Sequence, residues 1–192
     1  MKYAPAQLLP LIRSDVQGLI LAQLFMHDTQ GFGISELAEF ASTSVPTAMR
    51  EVDRLLNAGL VTQKTYGRTR VIQANNNHEL FEPVKKIVSY SYGPAAVLPA
   101  ALTGIDGLER AYIYGSWAAR LSHLAGPEPK DVDVLLVGYM NRIEAARAAS
   151  HAERLLDREI NVQFVSNSEW EKSESAFIKT VKSRPIVEVP LG

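Results

Sequence analysis

The chain has 192 residues, 46% of them hydrophobic and 21% charged, and its formal net charge is −1. This length suffices for one ordinary domain or two small ones, and a near-neutral charge gives no global attraction to nucleic acid. The absence of cysteine excludes disulfides and thiolate metal sites. No apolar stretch approaches the length of a signal peptide core or a membrane span, so we expect a cytoplasmic protein with no membrane association.

Helical periodicity dominates the first third of the chain. It predicts a short helix over residues 7–12 and a stronger one over 15–26. A further short helix begins at Ser35, and after a turn Ser44 is a suitable N-cap for the next helix. Gly59 is placed to end that helix.

Two strands follow the helices. We expect them over residues 60–66 and 69–73, joined by a turn at Gly67-Arg68. Two helices joined by a tight turn and followed by a basic hairpin predict a winged helix-turn-helix over residues 1–76. The hairpin is the wing, and its basic residues suit contacts with backbone phosphates.

The helix after Ser44 presents a polar face that suits contacts with base edges in the major groove. Glu51 belongs to this face. A second interpretation is a solvated hairpin on a winged helix that binds another protein. The candidate DNA-binding residues of the helix and wing are Ser44, Thr47, Arg50, Arg54, Lys64, Arg68 and Arg70.

The run from Ile34 to Gln73 resembles the winged helix-turn-helix of ArsR-type and related bacterial transcriptional regulators. The matching segments are residues 35–38, 44–50, 55–61 and 67–70. The resemblance implies a regulator that binds double-stranded DNA as a homodimer on pseudo-palindromic half-sites. The cysteine metal-sensing sites of that family have no counterpart here.

A helical connector is expected over residues 77–106. It contains an apolar helix over 80–90, a break at Gly93-Pro94 and a short helix over 95–102. The stripe of the first helix suits either a dimer surface or packing inside its own chain. The remainder, 107–192, is then a second domain.

Strands and helices alternate in the second half, which predicts a small α/β unit with a mixed sheet and an α+β class for the whole chain. The expected strands are 111–114, 132–138, 160–166 and 186–189, and the expected helices are 117–123, 142–156 and one from after Glu169 to about Val181.

Asp131 and Asp133 are the most informative residues of this half. In a strand, residues i and i+2 share a face, so both carboxylates can meet one divalent cation. Gly115 and Ser116 form a turn at which a backbone can approach a phosphate closely. The other interpretation is that Asp131 caps a turn and Asp133 is an exposed strand residue.

This Gly-Ser turn followed by Asp-x-Asp on a strand resembles the nucleotidyltransferase domain of the DNA polymerase β superfamily. The resemblance implies that Gly115 and Ser116 hold a nucleoside triphosphate at a helix N-terminus. It implies that Asp131 and Asp133 hold Mg²⁺ as catalytic residues, and that Arg120 contacts phosphate.

Two features depart from the family pattern. Fourteen residues separate Ser116 from Asp131, and the positions expected for a third carboxylate carry Asn161 and Gln163, with Glu159 at the strand start. Three hypotheses follow: a regulator that binds Mg-nucleotide, an active nucleotidyltransferase like the antitoxins of some toxin–antitoxin pairs with a partner protein, or a degenerate domain that serves as sensor or scaffold.

Overall fold

The computed structural model describes residues 12–67, 69–122, 124–127 and 129–191, so the helix expected over 7–12 falls almost entirely outside the described residues. The chain divides into two units at the Gly93/Pro94 bond. The first helix of the expected connector lies in the first unit and its second helix in the second.

Within its described residues, the first unit contains four helices and a three-stranded antiparallel sheet with β3 in the centre. This arrangement is the predicted winged helix-turn-helix, in which β2 and β3 are the wing. The elements are α1 (Asp15–Met26), β1 (Phe32–Gly33), α2 (Ile34–Phe40), α3 (Val45–Asn57), β2 (Val61–Tyr66), β3 (Thr69–Ala74) and α4 (Phe81–Tyr92).

The core of this unit is built around α1. The helix is buried along most of its length, and Ile20, Leu24 and Phe25 are fully enclosed. The Phe25 ring stacks on Phe81 of α4 with 5.5 Å between ring centroids. A helix that is apolar on all sides is a core helix, and the other elements of the unit pack around it.

Local signals set the ends of α3 as expected. The Ser44 side chain accepts a hydrogen bond from the Thr47 backbone N–H at 3.4 Å, and a proline occupies the first turn. The chain leaves the helix through Gly59, whose φ of +72° suits glycine. Ala48, Val52 and Leu55 form the buried stripe.

Within its described residues, the second unit contains a four-stranded sheet in the order β6-β5-β4-β7, together with helices. The pair β5–β6 is parallel and the other pairs are antiparallel, so the sheet is mixed as predicted. The elements are α5 (Pro94–Leu102), β4 (Leu108–Tyr114), α6 (Gly115–Leu121), β5 (Asp131–Gly138), α7 (Arg142–Leu156), β6 (Glu159–Val165), α8 (Asn167–Lys172), α9 (Ala176–Lys182) and β7 (Val187–Val189).

The single helix expected after Glu169 is wrong, because the chain forms α8 and α9 instead. Ser173 ends α8 in the left-handed region at φ +54°, and Ser175 caps α9 by accepting from the Ile178 N–H at 3.1 Å. Two serines close together thus end one helix and begin another.

One face of the sheet packs against this helix pair. Tyr112 stacks on Trp170 with centroids 4.9 Å apart, and Lys182 Nζ lies 4.3 Å from the centre of the same indole ring. Lys182 also donates to the Trp170 carbonyl at 2.6 Å. Within the described segments, no helix is long and apolar enough to cross a membrane.

Gly18 lets α1 and α4 pack closely, so we predict that Gly18→Ala destabilises the first unit. A Cβ there would overlap the Tyr92 ring, which is 2% exposed. Overpacking costs about 1–3 kcal/mol, which outweighs the roughly 1 kcal/mol gained from alanine in a helix. Urea unfolding of the variant measures the difference.

The control is Gly18→Ala combined with Tyr92→Leu, which shortens the obstructing side chain. The double variant should lose less than the sum of the two single losses. A gain in stability from Gly18→Ala alone would contradict this account of the contact.

Candidate functional site

The first candidate site is the helix–wing surface, defined as the exposed side of α3 with the β2–β3 hairpin. At the start of α3 the hydroxyls of Ser44 and Thr47 lie 2.9 Å apart, and Arg50 Nη2 donates to Thr47 Oγ1 at 3.2 Å. Arg50 is exposed, and this contact holds its guanidinium beside the first turn. Three of the candidate DNA-binding residues therefore form one connected polar row.

Glu51 does not belong to the exposed face expected from the sequence. Its side chain is 9% exposed, and its carboxylate accepts hydrogen bonds from Arg13 Nη2 at 2.5 Å and from Arg54 Nη1 at 2.7 Å. A buried carboxylate is stable only when it is paired, and the two guanidiniums supply that pairing. Arg54 remains half-exposed but is held toward the protein.

The wing projects from the unit. Val61 is buried and the other five residues of β2 are exposed, among them Lys64. The side chains of Lys64, Thr65 and Tyr66 lie exposed on the wing, where they are accessible to a ligand. Arg68, at the turn, lies outside the described residues.

Arg70 fastens the wing to α3. Its Nη2 donates to Asp53 Oδ1 at 2.7 Å and its Nε donates to Gln63 Oε1 at 2.8 Å. Because both side chains are partly exposed, the ion pair contributes only modestly to the free energy of unfolding. Its main effect is geometric, because it sets the direction of the hairpin relative to the helix.

The second candidate site is the acid pair in the second unit. Both Asp131 and Asp133 lie in β5, and Asp131 is its first residue. Asp133 pairs in register with Tyr114 of β4 and with Asn161 of β6. Asn161 Nδ2 donates to Asp131 Oδ2 at 2.8 Å, so the amide orients this carboxylate.

Gly115 makes room for the acid pair. It has φ +69°, and a Cβ at this position would overlap the Asp133 carboxylate. Only glycine satisfies both conditions, because other residues are strained at this φ and carry the obstructing atom. Gly115 therefore lies next to the acid pair, as predicted. Ser116, the second residue of α6, is exposed.

The charge of Asp133 is poorly compensated. Burial, and next the charge of Asp131, raise the pKa of Asp133 above its usual value, and the Asn161 amide opposes that rise. Burial and the Asp133 charge also raise the pKa of Tyr114 to about 12. Two carboxylates held close together in this way resemble the charge arrangements found at functional sites.

The donor set fits one Mg²⁺ better than two. Mg²⁺ is held in proteins by one or two carboxylates together with waters and substrate phosphates, and β5 supplies two carboxylates on one face. Across the described ranges there is no group of three or more His, Asp or Glu residues that could hold a metal, so Glu159 does not complete a third position. The side chains of Asn161 and Gln163 are amides, which do not accept a proton as a carboxylate does.

Arg120 sits in the last turn of α6 and packs against the loop that leads to β5. The space beside the Gly126 Cα is filled by its guanidinium. Its Nε and Nη1 are buried and have no hydrogen-bond partner among the described residues.

Trp117 is packed rather than available for stacking on a base. It is 4% exposed, and the guanidinium of Arg158 covers its ring at 5.1 Å. Arg158 also donates to the Pro129 carbonyl, so it holds the loop before β5. Neither Arg158 nor Tyr114 was predicted from the sequence as part of this site, although Tyr114 directly precedes Gly115.

Comparisons with known proteins give partial likenesses. A scan against protein-family models and a search of curated proteins found no match. The chain is similar to a crystal structure of MepR, a transcription regulator of the Staphylococcus aureus multidrug efflux pump MepA, with 20% identity over 44% of this chain and 64% of that chain and a TM-score of 0.37.

Two further solved structures are similar to a comparable extent. A MarR-family transcriptional regulator from Rhodococcus sp. RHA1 has 19% identity over 43% of this chain and 57% of that chain, with a TM-score of 0.35. A point mutant of MarR from E. coli has 17% identity over 46% and 64%, with a TM-score of 0.37. The chain thus spans less than two thirds of the length of each of these three regulators. None of the three is an ArsR-type regulator or a nucleotidyltransferase, so both resemblances stay predictions.

The crowded acid pair predicts that Asp133→Asn stabilises the ligand-free protein at neutral pH. A raised pKa in the folded state means that stability falls as the pH rises through that pKa, and the amide removes this loss. Stabilising substitutions of this kind commonly contribute about 0.5–2 kcal/mol. Thermal unfolding at pH 7 and at pH 3 measures the effect, which should shrink at the lower pH.

Asp106→Asn is the matched control, because Asp106 is an exposed loop carboxylate. It should change the melting temperature little at either pH. A loss of stability from Asp133→Asn at neutral pH would show that the folded state relies on this charge.

Proposed function

We propose that the protein is a DNA-binding transcriptional regulator that uses the helix–wing surface. The observation that carries the proposal is the pairing of an exposed, pre-ordered polar row on α3 with a hairpin that projects beside it. The row is Ser44, Thr47 and Arg50, and the hairpin is fixed by Arg70. A helix of this kind enters the major groove, and a hairpin beside it meets the backbone phosphates.

Charge supports the same surface. Residues 44–74 carry five Lys/Arg and two Asp/Glu, a local net charge of +3 in a chain whose total is −1. Both acids are tied to arginines, Glu51 to Arg54 and Asp53 to Arg70. Arg50, Lys64 and Arg68 are then the leading phosphate or base contacts, while Arg54 and Arg70 act partly as positioning residues.

A homodimer follows from the same proposal, since two recognition helices then read two half-sites. The outer side of α4 offers a surface for it. Leu80 just before the helix, Ile87 and Tyr90 are 49%, 42% and 70% exposed and recur at helical spacing. Exposed apolar residues in a row are typical of an interface.

We expect Arg50→Ala and Lys64→Ala to weaken DNA binding in different ways. Loss of a base contact costs about 1–3 kcal/mol and relaxes specificity at one position, whereas loss of a phosphate contact lowers affinity for all sequences and reduces the salt slope by about 1. The probe is a duplex selected by the wild-type protein from a random pool. Titrations at several salt concentrations separate the two effects.

Lys179→Ala is the control, because it removes an exposed positive charge from α9 in the second unit. Its affinity and salt slope should equal those of the wild-type protein. Selection of no sequence by the wild-type protein, or equal affinity in all three variants, would overturn the proposed function.

As a second candidate function, we propose that the acid pair binds Mg²⁺ together with a nucleoside triphosphate. The supporting observation is the crowded pair of carboxylates, Asp131 and Asp133, which share one face of β5 beside Gly115. Mg²⁺ would supply charge neutralisation between carboxylates and phosphates. Because Gly115 has no Cβ, the Asp133 carboxylate fits beside the backbone of the turn. The Asn161 amide orients the Asp131 carboxylate.

Transfer of a nucleoside monophosphate to a protein or small molecule is a further step that this site supports less well. The residues beside the acids, Asn161 and Gln163, accept no proton, so a base would have to come from the acceptor. Nucleotide sensing, with or without a toxin-like partner protein, therefore takes precedence over catalysis as the proposed role.

Thermal unfolding with MgCl₂ and each of the common nucleoside triphosphates tests the second function. A ligand at 100 times its dissociation constant stabilises by about 2.7 kcal/mol, or roughly 5–10 °C for a protein of this size. The shift should need Mg²⁺ and should be lost in Asp133→Asn, while Asp106→Asn keeps it. Absence of any shift would remove nucleotide binding and leave the DNA-binding proposal intact.

A further inference from the structure

Strand β6 forms an edge of the sheet in the second unit that carries few of the usual protections. Edge strands are normally kept short or interrupted by proline or lysine, because their free backbone groups pair with other strands. At the opposite edge, β7 has three residues and lies between Pro185 and Pro190. By contrast, β6 has seven residues and contains no Pro, Gly, Lys or Arg.

The outward backbone groups of β6 can be identified. The N–H of Ile160 donates to Glu153 Oε1 at 2.9 Å and thus points away from β5. Alternate residues of a strand direct their backbone groups to the same side, so Val162 and Phe164 also present theirs outward. Within the described part of the chain, these two residues have no hydrogen bond on that side.

We propose that β6 pairs antiparallel with β6 of a second copy of this chain, around a twofold axis at Val162. In an antiparallel pair centred there, the two Val162 residues exchange two hydrogen bonds. Each Phe164 lies opposite Ile160 of the second copy and donates its N–H to that carbonyl. In this register the Ile160 N–H exchanges Glu153 for the Phe164 carbonyl of the second copy, so every outward donor from Ile160 to Phe164 has a partner.

The side chains of β6 suit this pairing. Gln163 lies opposite Asn161 of the second copy, and an amide pair can form between them because the Asn161 Nδ2 is used by Asp131 and its carbonyl oxygen remains free to accept. Ile160, Val162 and Phe164 meet on the other face. The strand is thus complementary to itself in this register, which favours a second copy over an unrelated strand.

The absence of cysteine permits a direct test with Val162→Cys. Residues opposite each other in a hydrogen-bonded antiparallel pair have Cα atoms about 5.5 Å apart, within the roughly 4.4–6.8 Å that a disulfide spans. Diamide oxidation of the full chain should give a covalent dimer on a non-reducing gel. Glu188→Cys, on the exposed part of β7, is the control and should remain monomeric although its thiol is more accessible.

Proline substitutions add an independent test. Val162→Pro removes an outward N–H and should abolish association through β6, with a melting temperature near that of the wild type. Gln163→Pro removes an N–H that faces β5 and should lower the melting temperature. Sedimentation equilibrium over a range of concentrations, with each variant also tested in an Ile87→Glu background, separates this contact from association through α4.

A Val162→Cys protein that stays monomeric on oxidation, or cross-links no better than Glu188→Cys, overturns the proposal. So does Val162→Pro that is folded and associates as the wild type does in the Ile87→Glu background. If Val162→Pro does not fold, the disulfide result decides alone. Loss of DNA or nucleotide binding has no bearing on either readout.

Discussion

The burial of α1 is the constraint on which the first unit depends. This helix has few polar residues to give to solvent, and Ile20, Leu24 and Phe25 are enclosed by elements that are too short to be stable alone. Those elements gain stability by packing against α1. Helix α3 packs through one buried stripe, and its opposite side stays exposed to solvent. The exposed row of α3 is thus a consequence of how the apolar helix is covered.

In the second unit a different constraint controls the arrangement. The close approach of Gly115 to Asp133 requires a residue without a Cβ at a positive φ. The surrounding sheet supplies the stability that this crowded corner lacks, through the fully buried Leu135 and Leu136 of β5. A charge arrangement that weakens the fold at one end of β5 is tolerated because the rest of the strand is apolar and buried.

Much of the secondary structure could be predicted from the sequence because its signals are local. Ser44 and Gly59 delimit α3, and the alternation around Asp131 and Asp133 identifies β5. Long-range pairing could not be read in this way. Nothing local indicates that Glu51 is buried between Arg13 and Arg54, or that Arg70 turns from the phosphates toward Asp53. The break between α8 and α9 was missed because serine is a weak signal for a left-handed residue.

The internal pairing of the arginines has a consequence for how such a protein would search a genome. Weak binding to arbitrary DNA grows with the number of phosphates that free cations neutralise. Glu51 and Asp53 occupy Arg54 and Arg70, so fewer cations of the surface are free for this purpose. Under the proposed function, the protein would spend less time on irrelevant DNA, and its occupancy of a true site would depend more on base contacts than on charge.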